Sequence, residues 1–244
     1  LIGLNRAIVK QGLKVLKSKK NIGLKTLLDV GKVESNPTIY ELGYVLGPRI
    51  NAGGRVGKSS HGAKLLLNSN SKDTFKLAIE LDQFNKERQS LERDLLKKIL
   101  DNNITNSNDP VLILQGKSWH EGIIGIIASR LKDKFNKPTI VISINGSIGK
   151  ASARSIVGFD IGSAIIAATQ DKILLKGGGH KMAGGFSIDV NNIKKFKEFI
   201  FNKFKGINLD LTTEKPLLID SKISPSAINL EFYNKINILS PFGS

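Results

Sequence analysis

The 244-residue chain is 40% apolar and 24% charged, the balance of an ordinary globular protein, and its length allows one large domain or two smaller ones. It has no cysteine, which excludes disulfides and thiolate metal sites, and no apolar run near the roughly 20 residues that cross a bilayer. Its 37 Lys plus Arg against 21 Asp plus Glu give a charge of +16, which favours a polyanionic partner, nucleic acid before an anionic membrane, over a mere bias of composition.

The N-terminal part of the chain predicts helices followed by a phosphate-binding segment. Residues 1–30 place apolar side chains at helical spacing among many lysines. In GPRINAGGRVG, residues 47–57, Arg49 and Arg55 flank Asn51 and a Gly-Gly pair. The planar donor fork of arginine matches phosphate, and neighbouring glycines let backbone amides join the contact. The alternative is a flexible loop whose arginines are solvated or cap helix ends.

A long amphipathic helix is predicted over residues 73–100. Apolar residues recur there at spacings of three, four or seven, and no Gly or Pro interrupts them. At 1.5 Å per residue such a helix spans about 40 Å, more than one domain needs, so we expect it to bridge two domains.

The chain after residue 110 predicts alternating strands and helices. The hairpin is placed at Asn145-Gly146, a sequence typical of a type I′ turn, and the helix near residue 121 is expected to begin with a Ser118–Glu121 capping box. In order, the predicted elements are a buried strand at 111–115, a helix to about 135, the hairpin at 138–155, a short helix opened by Asp160, a strand after the glycine segment and a basic helix near 192–205.

The segment GKASARS, residues 149–155, predicts a second phosphate contact. If it is a strand, Lys150, Ser152 and Arg154 share one face, and all three are donors that suit phosphate. The small residues Ala151 and Ala153 occupy the opposite face. The alternative is an edge strand with a polar outer face.

The segment GGGH predicts a third phosphate contact. Gly177, Gly178 and Gly179 would form a loop whose amides line an anion, and His180 would donate to phosphate, carry a proton or bind a metal. The alternative is a glycine-rich turn with a hydrogen-bonded histidine. Because no paired carboxylates or ligand-spaced cluster appear in the sequence, we do not expect a complete hydrolytic metal site.

These segments, in their order, resemble the RecJ family of single-strand-specific exonucleases in the DHH phosphoesterase superfamily. The GGGH motif alone is less specific, because it also occurs in the DHH-associated domains of small nucleotide phosphodiesterases and alanyl-tRNA synthetases. The matching pieces cover nearly the whole chain and are LNRAIVKQGL, LGPRINAGGRVG, LDQFNKERQ, GKSWHEGIIGIIASRL, GKASARS, GFDIGSAI and GGGHKMAGG.

The resemblance implies an α/β fold in several parts. Residues 1–70 would be the C-terminal end of a DHH catalytic domain, and residues 71–107 a long connecting helix. Residues 108–205 would form a mixed-sheet DHH-associated domain, and residues 206–244 the start of a truncated OB-fold. We therefore expect the chain to be part of a longer protein, and, because no charged-then-apolar leader is seen, a cytoplasmic one.

The resemblance also implies an activity, a cofactor and partners. The parent protein would be a 5′→3′ exonuclease that hydrolyses phosphodiester bonds of single-stranded DNA in recombination and repair, with Mn²⁺ or Mg²⁺. In the family the DHH triplet helps to hold the metals, and this sequence lacks that triplet, so we expect the chain alone to bind no metal and to be inactive. The implied partners are single-stranded DNA, a single-strand-binding protein and a helicase, with a monomeric chain and no membrane.

Carried over by motif, the resemblance assigns roles to individual residues. Two alternatives stay open: a non-catalytic module that binds single-stranded nucleic acid, and an oligoribonuclease or cyclic-dinucleotide phosphodiesterase of the same superfamily. The implied roles are phosphate contact near the scissile bond for Arg49, contact with single-stranded DNA for Asn51 and Arg55, a grip on the 5′-phosphate region for Ser152 and Arg154, and a catalytic position facing the metal site for His180.

Overall fold

A computed structural model describes residues 2–101, 109–207 and 219–242 of the chain. The α-helices are α1 (Gly3–Lys17), α2 (Ile22–Val30), α3 (Gly47–Val56), α4 (Ser60–Leu67), α5 (Ser71–Asp101), α6 (Glu121–Phe135), α7 (Ile161–Gln170), α8 (Ile193–Lys205) and α9 (Leu230–Asn237). The strands are β1 (Leu112–Lys117), β2 (Thr139–Asn145), β3 (Ile148–Arg154), β4 (Lys176–His180) and β5 (Ala183–Asp189). A π-helix covers Glu41–Leu46, and 3₁₀ turns cover Val190–Asn192 and Pro225–Ala227.

The chain divides into two compact units, one formed by residues 1–86 with 215–244 and the other by residues 87–214. The boundary between residues 86 and 87 lies inside α5. This helix has 31 residues without interruption, or about 46 Å at 1.5 Å per residue, which confirms the long helix predicted from the apolar spacing. Its first turns pack in one unit and its last turns in the other.

The first unit has a leucine core. Side chains from α2, the π-helix, α4 and α5 meet there, because each of these elements presents apolar residues on one side. The fully buried members are Leu27, Leu28, Leu46, Leu65 and Leu81. The described part of the predicted OB-fold, residues 219–242, contains a 3₁₀ turn and α9 and no strand, and the OB-fold assignment stays a prediction.

The second unit is built on a five-stranded mixed sheet in the order β1-β2-β3-β5-β4. Strands β1 and β2 are parallel, and the other neighbours are antiparallel, which confirms the predicted α/β class with a mixed sheet. Helix α6 and the end of α5 cover one face through a core with Leu112, Leu114 and Val141. Helices α7 and α8 cover the other face, where Phe186 and Phe196 are buried.

Two local predictions in this unit are wrong. The N-cap of α6 is His120, whose Nδ1 accepts from the Gly122 amide at 3.1 Å, whereas Ser118 has a positive φ of 57° and its amide donates to the Ile144 carbonyl. The hairpin turn is centred on Gly146 and Ser147, because Asn145 still pairs with Ile148. Of these two residues only Gly146 has a positive φ, which fits a type II′ turn and not the predicted type I′.

No helix in the described ranges is long and apolar enough to cross a membrane.

The N-cap of α7 makes the stability of the second unit dependent on pH. As predicted, Asp160 opens this helix, and its Oδ1 accepts from the Ser163 amide at 2.9 Å. That hydrogen bond holds the pKa of the Asp160 carboxyl below its ordinary value. A depressed pKa stabilises the fold above the ordinary value, and this contribution is lost as the pH falls through the folded-state pKa.

We expect Asp160→Asn to remove this pH dependence while keeping an oxygen acceptor for the cap. The difference in denaturation midpoint between the original chain and the variant should shrink as the pH falls below about 4. Urea denaturation followed by the fluorescence of Trp119, the single tryptophan, measures it, because Trp119 packs against the core of the second unit. A midpoint difference that is the same at pH 3 and pH 7 contradicts this account.

Candidate functional site

The glycines of GGGH lie in a strand and not in the predicted anion-binding loop. Gly177, Gly178 and Gly179 belong to β4, which pairs with β5 so that Gly178 is opposite Gly185. Residues 181 and 182 form the tight turn between the two strands. The loop prediction is wrong because the antiparallel partner follows at once along the chain and makes these glycines part of a hairpin.

One side of this hairpin needs glycine because α7 lies directly on it. A Cβ added to Gly177 would lie 2.8 Å from Cγ2 of Ile165, and one added to Gly184 would lie 2.5 Å from Cδ1 of the same side chain. Both distances are shorter than carbon atoms allow. Ile165 is fully buried, so these two positions let the helix approach the sheet backbone.

The other side of the hairpin forms a shallow channel along β5. A Cβ added to Gly178 would meet no atom within 4 Å, so this side is open at β4. The strand register places three small residues of β5, namely Ala183, Gly185 and Ser187, along the floor. We call this feature the β5 channel; its rims are Arg154, Ser152 and Lys150 on β3 and His180, Gly178 and Lys176 on β4, paired in that order across the floor.

Arg154 and Ser152 form the first part of the β3 rim. Arg154 Nη1 donates to Ser152 Oγ at 3.2 Å and to the Ala153 carbonyl at 2.8 Å, which fixes the guanidinium beside the hydroxyl. Helix α6 closes on this pair at Gly125, where an added Cβ would lie 3.0 Å from Ser152 Oγ and 3.2 Å from Arg154 Nη2. Gly125 therefore leaves room for the pair; sequence reasoning missed it, although a glycine inside the apolar run of α6 was the available signal.

Lys150 continues the β3 rim and carries an ion pair. Its Nζ lies 2.7 Å from Oε2 of Glu121, in the first turn of α6. Both side chains are about half exposed, so solvent screens the pair. The register places Lys150 opposite Ser187 and Ser187 opposite Lys176. Sequence reasoning missed Lys176 and Ser187, because only the strand pairing reveals them.

His180 ends the β4 rim. Its Nδ1 accepts from the Met182 amide at 3.3 Å, so in the neutral ring Nε2 carries the proton and is a donor. The backbone of His180 lies against the start of α7, where a Cβ on Gly162 would come within 2.8 Å of it. The side chain is exposed and faces the same side of the sheet as Arg154.

The predicted site residues Arg49, Asn51 and Arg55 belong to the first unit. The flexible loop, which was the alternative for this segment, is wrong, because residues 47–56 are helix α3. The glycine amides that we expected to join a phosphate contact hydrogen-bond within that helix. Arg49 Nε lies 2.9 Å from Oδ1 of Asp82 on α5, and its Nη1 donates to the Val45 carbonyl at 3.0 Å. Asn51 and Arg55 are four residues apart on an exposed face of α3, so they are neighbours there.

A metal centre is not seen in the parts of the chain that the structure describes. There, no group of three or more His, Cys, Asp or Glu side chains lies close enough together to hold an ion. The described residues therefore do not fit a divalent metal, whereas the β5 channel offers cationic and neutral donors beside an uncharged floor. Donors of this kind suit an anion such as phosphate.

Comparisons with known proteins point to one family. The DHHA1 domain model matches residues 108–206. RecJ of Bacillus subtilis, named a single-stranded-DNA-specific exonuclease, is 31% identical over 98% of this chain and 31% of its own length. The Escherichia coli protein of the same name is also 31% identical, over 98% of this chain and 43% of its own length. The chain thus spans less than half the length of these relatives.

Solved structures agree with the sequence matches. The crystal structure of RecJ from Thermus thermophilus in complex with Mg²⁺ has a TM-score of 0.86 and 27% identity, over 99% of this chain and 37% of that one. A structure of exonuclease RecJ bound to manganese has a TM-score of 0.70 and 29% identity, over 83% of this chain and 50% of that one.

Substitution by valine should affect the stability of the fold differently at two neighbouring glycines. We expect Gly178→Val to fold with a denaturation midpoint close to that of the original chain, because its added side chain enters the open channel and valine suits a strand. Gly177→Val should lose about 1–3 kcal/mol, because its side chain collides with Ile165. Urea denaturation followed by Trp119 fluorescence compares them, and equal losses for the two variants would contradict the assignment of the two sides.

Proposed function

Because the chain carries a DHHA1 domain and is homologous to the RecJ proteins of the DHH superfamily over nearly all its length, we propose that it supplies the strand-gripping side of a 5′→3′ exonuclease for single-stranded DNA. For the whole protein, we propose that this hydrolysis serves DNA recombination and repair. It rests on the names of the relatives for the reaction and on the β5 channel for the contact with DNA.

The single observation that carries the proposal is the β5 channel. Its floor is small and uncharged, and donors suited to phosphate stand on both rims. An extended sugar–phosphate chain can lie along such a floor, because glycine and alanine leave the backbone accessible. The net charge of +16 attracts the strand, whereas aromatic residues make up only 6% of the chain, so charge should contribute more than base stacking.

We assign a task to each donor of the channel. Arg154 presents its guanidinium to a phosphate, and Ser152 adds a neutral donor next to it. His180 donates from Nε2 on the opposite rim while the Met182 amide fixes its ring. Gly178 contributes by the absence of a side chain. Gly177 and Gly179, predicted as phosphate ligands, lie on alternate positions of β4 and are left with a role in packing.

The first unit supplies a further phosphate contact in this proposal. Asn51 and Arg55 are neighbours on the exposed face of α3, where they would contact a phosphate of single-stranded DNA. Arg49 is the third predicted residue of that group, but its Nε is engaged by Asp82. We therefore propose that Arg49 orients helix α3 on α5 as well as contacting phosphate.

The metal chemistry of the reaction is assigned to residues outside the described set. Mn²⁺ or Mg²⁺ would supply the activated water and the charge that stabilises the leaving group. The two RecJ structures compared above contain these ions, and the described residues of this chain offer no group that fits them. We propose that the chain by itself binds single-stranded DNA without cutting it.

Removing the guanidinium of Arg154 should weaken binding of single-stranded DNA. For Arg154→Ala we expect about a tenfold loss of affinity, and a slope of log K against log salt that is smaller by about 0.7, the value of one phosphate contact. Filter binding of an oligodeoxynucleotide at several salt concentrations measures both quantities. Arg93→Ala is the matched control, because Arg93 is exposed on α5 and the substitution removes the same charge.

Two results would overturn the proposal. One is binding by the original chain that does not depend on salt. The other is an equal loss for Arg154→Ala and Arg93→Ala. Degradation of the oligonucleotide by this chain in the presence of Mn²⁺ would contradict the assignment of the metal ligands, and His120, His180, Asp160 and Asp171 would then be the first residues to substitute.

A further inference from the structure

We infer that Lys150 and Lys176 form a second phosphate subsite at the far end of the β5 channel, and that the Glu121 carboxylate occupies Lys150 until a nucleic-acid strand displaces it. The inference rests on the proposed function, because it describes how the same channel holds a longer stretch of the same strand. Lys176 and Glu121 have no role in the site as derived from the sequence.

The strand register brings the two lysines together. Lys150 on β3 and Lys176 on β4 both pair with Ser187 on β5, which lies between them. Neighbouring strands are about 4.8 Å apart, so the two Cβ atoms stand roughly 10 Å from each other across the floor. Ser187 itself is buried, whereas both lysines are exposed. Each lysine has a long flexible stem and three donors, so both ammonium groups can reach one phosphate that lies between them on the outer side of Ser187.

The spacing along the channel fits a single extended strand. Arg154 and His180 mark one end and Lys150 and Lys176 the other, with Ser152 and Gly178 in the row between. Four residues of antiparallel strand separate the two ends, about 14 Å at 3.4 Å per residue. A mononucleotide is too short to reach both ends, whereas an oligonucleotide places several phosphates along this distance. The second subsite therefore acts only on a chain of nucleotides.

The charges at this end are balanced differently for the two lysines. Lys150 Nζ is 2.7 Å from the Glu121 carboxylate, and this pair is half exposed and accessible to a competing anion. Lys176 is exposed, and within the described ranges it has no ion-pair partner. A phosphate that enters must replace the carboxylate at Lys150 and meets no competitor at Lys176. Glu121 thereby lowers the affinity of the subsite for weak anions.

A scan with neutral linkages tests the subsite. The probe is a set of fluorescent oligodeoxynucleotides, each with one methylphosphonate in place of one phosphate, and binding to the full 244-residue chain is followed by fluorescence anisotropy. We expect Lys176→Ala to weaken binding of the unmodified oligonucleotide about threefold to tenfold and to reduce the salt slope by about 0.7. At one linkage, replacing the phosphate by a methylphosphonate should reduce the affinity of Lys176→Ala less than it reduces the affinity of the original chain. The reason is that Lys176 and that phosphate contact each other, so the variant has already lost the contact.

Three further variants make the test specific. Lys194→Ala removes the same charge from α8, on the opposite face of the sheet. In this variant the loss of affinity caused by each methylphosphonate should equal that in the original chain. Glu121→Gln should bind the unmodified oligonucleotide about twofold to fivefold more tightly, and the gain should vanish when Lys150→Ala is added. Trp119 fluorescence in urea confirms that each variant is folded.

The outcomes separate the two proposals. If Arg154→Ala weakens binding, while Lys176→Ala behaves like Lys194→Ala at every linkage, the second subsite is wrong and the proposed function stands. If the original chain shows no salt-dependent binding, the proposed function is wrong, and the subsite fails with it. A methylphosphonate cost that depends on Lys176 at a single linkage, together with a Glu121→Gln gain that needs Lys150, establishes the subsite.

Discussion

The contact between Ile165 and the glycines of the β4–β5 hairpin is the constraint on which the rest of the second unit depends. Helix α7 lies so close to the sheet that no side chain fits at Gly177 or Gly184. Because residues of a strand alternate between faces, the neighbouring positions Gly178 and Gly185 face the other way. One side of the hairpin is thus a tightly packed interior, and the other is the floor of the β5 channel. The same run of glycines serves both sides.

The channel combines an uncharged floor with donors on its rims. In the proposed function such a floor would place no large side chain under the bound DNA strand, so the donors on the rims would determine which anion binds and where. Helix α6 contacts the β3 rim, since Gly125 leaves space for Ser152 and Arg154 and Glu121 pairs with Lys150. The turn after β4 orients His180 on the other rim. In the proposed function, helix packing and phosphate contact would therefore be coupled through a few small residues.

The features that depend on local periodicity were predicted from the sequence. The spacing of apolar residues gave α5 to within two residues at each end, because nothing in that stretch competes with a helix. The alternation of side chains along a strand placed Lys150, Ser152 and Arg154 on one face. Asp160 indicated the start of α7, because its carboxylate can cap a helix. In each case the residues that carry the prediction lie within about one helical turn, or two strand residues, of the feature that they predict.

Two errors were local, namely the N-cap of α6 and the turn type of the β2–β3 hairpin. The other errors came from features that depend on contacts more distant along the chain. A glycine run by itself suggests a turn, whereas here it is a strand that pairs with β5, and Gly177 must be glycine because Ile165, a dozen residues earlier, occupies the space beside it. The Gly-Gly pair of residues 53–54 likewise suggested a loop and lies in α3, where a Cβ on Gly53 would meet the Lys58 carbonyl at 2.8 Å. Lys176 and Glu121 could not be assigned from the sequence, because only the register of β3, β5 and β4 and the position of α6 bring them to the channel.

The most direct test of the central claim is to see which amides meet the nucleic acid. A ¹⁵N–¹H correlation spectrum of the chain would be titrated with a short 5′-phosphorylated oligodeoxynucleotide. The account predicts that the largest shifts occur at Ser152, Gly178 and Gly185, along the floor and rims of the β5 channel. Shifts confined to the lysines of α8, with those three amides unchanged, would contradict it, because the strand would then bind the opposite face of the sheet.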